Sequence, residues 1–89
     1  MRTTVIGRVL GVRRRRGGGW RVRLVDTGGA LAAAEIVPAN PLPPPRIGRR
    51  IAVHGRLRYD EEHRWYTVDP VEAWQEAPPQ PTSADEHPA

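Results

Sequence analysis

The stretch Trp20-Arg21-Val22-Arg23-Leu24-Val25-Asp26-Thr27-Gly28-Gly29 decides the fold class. Trp20, Val22 and Leu24 alternate with Arg21 and Arg23, so an extended strand puts apolar side chains on one face and guanidiniums on the other. Asp26-Thr27-Gly28-Gly29 then makes a turn, with a carboxylate to hold nearby backbone amides and glycines free to take positive φ. The next residues, 30–37 (ALAAAEIV), carry helix-favouring alanines. Eight residues between Gly-Gly and Pro38 are too few for a stable helix, so this segment is the hairpin partner of the strand before it.

Upstream, residues 13–19 (RRRRGGG) read as a turn, because adjacent like charges resist packing and three glycines free the backbone. Residues 3–12 (TTVIGRVLGV) form a first strand, and Gly7 and Gly11 mark a bulge or bend that lets one strand serve two sides of a barrel. Downstream, residues 38–45 contain five prolines and form a stiff extended connector. In residues 50–59, Ile51, Val53, Gly55, Leu57 and Tyr59 alternate with Ala52, His54, Arg56 and Arg58. Residues 60–64 (DEEHR) are a solvated turn, and residues 65–74 are a last strand interrupted by Asp69-Pro70, which forces a bulge or an edge position. The sum is five strands and an all-β architecture. Residues 75–89, with four prolines and three acids and no large apolar side chain, read as a disordered acidic tail beyond a barrel of residues 1–74.

The chain of 89 residues suits one small domain whose function sits on a surface or in a shallow groove. The absence of cysteine excludes disulfides, thiolate zinc sites and cysteine nucleophiles. No apolar run reaches a membrane span, and the composition reads as that of a soluble cytoplasmic protein. All fourteen basic residues are arginine. Residues 1–58 hold thirteen of them against Asp26 and Glu35, a balance of 13 − 2 = +11, whereas residues 59–89 hold Arg64 against eight carboxylates, 1 − 8 = −7. A basic body with an acidic end points to a polyanion-binding surface, since the guanidinium fork matches phosphate and stacks on bases. Coding bias toward arginine gives the same composition without function.

Five strands, a glycine-bearing first strand, the D-T-G-G turn at 26–29 and the I-G-x-x-I-x-V-x-G-x-L run at 47–57 resemble the oligonucleotide/oligosaccharide-binding (OB) fold, a small closed Greek-key barrel. An SH3-like barrel is the competing architecture. Residues 60–71 (DEEHRWYTVDPV) also resemble a D-E-x-H-x-W-x-E-I-H-P-V ending seen in bacterial barrel domains of this type, with Thr67 in place of Glu and Asp69 in place of His. The resemblance implies single-strand binding on strands two and three, framed by the loops joining strands one to two and four to five.

On that basis Arg13, Arg14, Arg15 and Arg16 are expected to clamp a phosphate backbone, with Arg21, Arg23, Arg56 and Arg58 continuing the basic track. Trp65 and Tyr66, which point to opposite faces, supply the candidate for base stacking. Trp20, in phase with Val22 and Leu24, belongs to the core. His54, Asp60, Glu61, His63 and Asp69 lack a tight metal-ligand spacing, and the single serine, Ser83, has no evident base, so no metal, cofactor or catalytic residue is expected. The expected partner is single-stranded DNA or RNA, bound without catalysis, with the acidic tail competing for the basic face. The alternative is a protein-interaction barrel with no nucleic-acid role.

Overall fold

The computed structural model describes residues 1–37 and 43–79. They form a closed all-β barrel of five strands: β1 (Arg2–Arg14), β2 (Trp20–Asp26), β3 (Leu31–Ile36), β4 (Arg50–Asp60) and β5 (Trp65–Glu76). The order around the barrel is β1-β2-β3-β5-β4, and β4 closes on β1. All neighbours are antiparallel except β3 and β5. The alanine-rich segment is a strand, because its hairpin with β2 and its parallel ladder with β5 satisfy the backbone on both sides.

β1 closes the barrel by serving two partners. Its first half pairs with β4 and its second with β2, and Gly7 and Arg8 belong to both ladders. The register slips between Val9 and Gly11, where the connector before β4 docks: Gly48 N–H donates to Val9 C=O and Val9 N–H to Arg49 C=O, each at 2.8 Å. The glycines expected to bend this strand therefore lie at a close approach and at a bulge. A Cβ on Gly7 would sit 2.6 Å from the Val25 carbonyl oxygen.

The Asp69-Pro70 interruption is a bulge and not an edge. Val68 and Val71 face Ala34 and Ile36 on β3 and Leu57 and Gly55 on β4, so two β5 residues oppose one on each side. Barrel closure leaves proline no edge to occupy. β1 and β5 are also longer than their sequence patterns suggest. β1 runs on through Arg13 and Arg14, and β5 continues past Trp74, with Gln75 opposite Ala52 and Glu76 opposite Ile51. Arg50 then holds residues beyond the strand, its C=O accepting from Ala77 N–H and its Nη1 donating to Pro78 C=O. The boundary expected after residue 74 thus falls inside β5, because ladder hydrogen bonds need no apolar side chain. Residues 38–42 of the proline connector and 80–89 of the expected disordered tail lie outside the described residues.

The core is aliphatic: Val9, Val22, Leu24, Ala34, Ile36, Ile51, Val53, Val68 and Val71 are buried together. Trp20 and Trp74 pack against its ends as partly buried residues. The remaining aromatics, Tyr59, Trp65 and Tyr66, all belong to the β4–β5 hairpin. Among the described residues no helix is long and apolar enough to cross a membrane.

Candidate nucleic-acid interface

The β1–β2 hairpin turns at residues 15–19, with Gly17, Gly18 and Gly19 at φ of 85°, 103° and 88°. Three consecutive residues in that region favour glycine, which explains the GGG run. Because Arg13 and Arg14 are strand residues, they project to opposite faces. Arg13 lies across from Arg21, and Arg14 lies across from Trp20 with its guanidinium carbon 5.5 Å from the indole centroid. Arg15 Nε lies 3.0 Å from Glu35 Oε2, while Arg16 is exposed. The run of four arginines is therefore divided among four environments rather than presented as one row.

Glu35 organises this end of the barrel. Its side chain is 5% exposed, and Oε1 accepts a 2.7 Å hydrogen bond from Arg21 Nε while Oε2 pairs with Arg15. A carboxylate between two guanidiniums fixes the hairpin tip against β3 and offsets their charge. Glu35→Gln keeps the shape and removes the charge. Its expected effect is a loss of about 1–2 kcal/mol in urea unfolding, the order of a charged hydrogen bond. An unchanged unfolding midpoint would mean that the tip is held by the glycine turn alone.

On the outer face of the same hairpin, Gly11, Val12, Arg13, Arg21, Arg23, Ile47, His63 and Trp65 line a groove of about 380 Å³. Arg13 and Arg21 also border a second depression of about 380 Å³ with Arg14, Arg15 and Arg16. The two concavities share a wall, so a basic track runs from the hairpin tip to Trp65. Gly11 keeps the floor low: a Cβ there would lie 3.3 Å from the Arg23 guanidinium. Arg13, Arg14, Arg16 and Arg23 have no carboxylate partner among the described residues.

The far wall is the β4–β5 turn. Asp60 Oδ1 accepts from the amides of Glu62 and His63, and Arg64 takes φ of 59° to close the turn. Asp60 Oδ2 lies 2.8 Å from His63 Nδ1, and this side-chain hydrogen bond holds the Asp60 carboxyl below its ordinary pKa. His63 in turn stacks on Trp65, with centroids 4.8 Å apart and planes 6° from parallel. One of the acids at this mouth, Asp60, thus orients the imidazole that stacks on Trp65. Donor atoms of Asp60, Glu62 and His63 lie within 4.8 Å of one another, but those of Asp60 and His63 face each other.

Seven of the ten expected residues line the track: Arg13, Arg14, Arg15, Arg16, Arg21, Arg23 and Trp65. Arg58, on β4, donates from Nε and Nη2 to Asp69 Oδ2 at 3.1 Å. Arg56 lies across from Arg2, away from the track. Tyr66 is exposed, but it sits beside Tyr59 in an edge-to-face pair on the other face of the hairpin. Gly11, Val12, Ile47 and His63 of the groove wall, and Glu35 that braces it, are not among the residues expected from the sequence. His63 lies in the turn, with Arg64 at positive φ between it and Trp65, so strand alternation does not announce their stacking. The single acid in ALAAAEIV, opposite Arg21 in the hairpin register, was the signal for Glu35. Comparison with protein-family models and with curated proteins finds no match, so the functional reading stands on this geometry.

Proposed function

We propose that this chain is an OB-like barrel that binds single-stranded DNA or RNA without catalysing a reaction. The observation that carries the reading is the continuous track from Arg16 to Trp65, in which free guanidiniums adjoin a stacked aromatic surface. The track lies on the β1–β2 face between the hairpin tip and the β4–β5 turn. Single-strand sites combine these elements, a charged groove for the backbone and a π-face for bases.

Phosphates would lie along Arg13, Arg16 and Arg23, and a base would stack at Trp65 beside His63. Arg14 contributes charge from above Trp20, and Arg15 and Arg21 hold the wall through Glu35. Binding of this kind reads the backbone more than the sequence. A variant with Arg13, Arg14, Arg15 and Arg16 each changed to Ser tests the assignment by fluorescence anisotropy on labelled single-stranded DNA and RNA. The expected result at low salt is a loss of affinity of about tenfold or more, with the barrel intact by circular dichroism. Equal affinity for variant and parent would remove the hairpin from the interface.

A further inference from the structure

The β1–β2 ribbon carries a second cleft, of about 510 Å³, which the track does not use. Its walls include Arg8 from β1, Arg49 and Arg50 from the start of β4, and the backbone of Gly7 and Gly48. Arg8 and Arg50 are direct cross-strand partners, an arrangement that like charges disfavour. The barrel has two other such pairs, and each has a carboxylate beside it. Arg2 opposite Arg56 is paired to Glu72, and Arg21 opposite Arg13 is paired to Glu35.

Arg8 opposite Arg50 has no ion pair among the described residues, and neither has Arg49. Two acids do border the cleft. Asp26 Oδ1 accepts from Ala30 N–H within its own turn, and Glu76 pairs with Arg46 outside the cleft wall. Among the described residues the cleft therefore sets three arginines against two carboxylates, neither of which pairs with Arg8, Arg49 or Arg50.

We propose that this cleft binds a further phosphate group, one belonging to the same strand whose other phosphates lie on the Arg13–Arg23 track. The proposal rests on the reading of that track as a single-strand groove. The bulge between Val9 and Gly11 brings Arg8 and Arg13, opposite Val25 and Arg21 of β2, to one face of β1, about 15 Å apart by strand rise. Ile47 and Gly48, consecutive in the chain, wall the groove and the cleft respectively. A strand leaving the groove past Ile47 meets Arg49, Arg8 and Arg50 next. The complete footprint is then longer than the groove, running from the arginines of the hairpin tip past Trp65 to a three-arginine anchor in the cleft.

Arg8 and Arg49 are exposed, so an Arg8→Ser, Arg49→Ser double variant leaves the core untouched. Arg50 is kept because it holds Pro78. Anisotropy would be measured with a labelled trinucleotide and a labelled dodecanucleotide, beside amide NMR titrations with inorganic phosphate. The double variant is expected to bind the dodecanucleotide about tenfold more weakly at low salt, with a salt slope shallower by about one, and the trinucleotide unchanged. Equal weakening of both lengths, or of neither, overturns the proposal. Should the parent bind no oligonucleotide, the groove reading fails and the strand-bound form of this proposal falls with it. In that case phosphate-induced shifts at Gly48 and Arg49, absent in the variant, would leave a free-phosphate site standing, and their absence would remove the cleft altogether.

Discussion

Gly55→Ala is expected to lower the thermal unfolding midpoint by about 10–20 °C, corresponding to roughly 2–3 kcal/mol of overpacking in a domain of this size. Gly55 is buried in β4 between Thr3 of β1 and Val71 of β5. A Cβ there would collide with the Pro70 carbonyl oxygen and come 2.8 Å from Val68 Cγ1. The first obstacle is backbone, held by the bulge that accommodates Asp69-Pro70 in both neighbouring ladders. It cannot rotate away as a side chain can. Gly28→Ala is the matched control, because its nearest atom would be Asp26 Oδ1 at 3.5 Å and its φ is not positive. The two variants should differ clearly in calorimetry. If Gly55→Ala melts with Gly28→Ala, the β5 bulge is more compliant than the barrel described above.

Trp65→Ala is expected to weaken single-strand binding by about 5- to 150-fold, the range of about 1–3 kcal/mol for one base–aromatic stack. Trp65 is half-buried, backed by His63, and faces the arginines of the groove. Tyr66→Ala is the informative comparison, since Tyr66 is the more exposed ring but lies on the opposite face of β5 with Tyr59. Exposure alone would nominate Tyr66, whereas position relative to the arginines nominates Trp65. Anisotropy on both variants separates the two criteria. A larger loss for Tyr66→Ala would move the strand to the other face of the β4–β5 hairpin.

Much of this barrel was legible before the structure because its information is local. Alternation in residues 20–26 and 50–59 sets which face is apolar, and the glycines and Asp26 set where the chain turns. Even the alanine-rich β3 follows from the shortness of its segment. Strand ends were less legible, since Arg13, Arg14, Gln75 and Glu76 extend ladders through backbone hydrogen bonds that their side chains do not announce. The site divides in the same way. Arg21 and Arg23 reach the groove as their alternation requires, whereas the separation of Arg56 and Arg58 from them depends on strand order around the closed barrel. The neutralising roles of Glu35 and Asp69 depend on register and on a bulge, neither of which composition encodes.

The central claim is that the Arg13–Trp65 track holds a single strand by its phosphates, and salt tests it most directly. Anisotropy of a labelled single-stranded oligonucleotide would be titrated with the full chain from low to physiological salt. Micromolar or tighter binding is expected at low salt, with log affinity falling against log salt at a slope of about −2 to −3 for three to four phosphate contacts. An affinity indifferent to salt, or no binding at low salt, would contradict it and turn attention to protein partners of the same face.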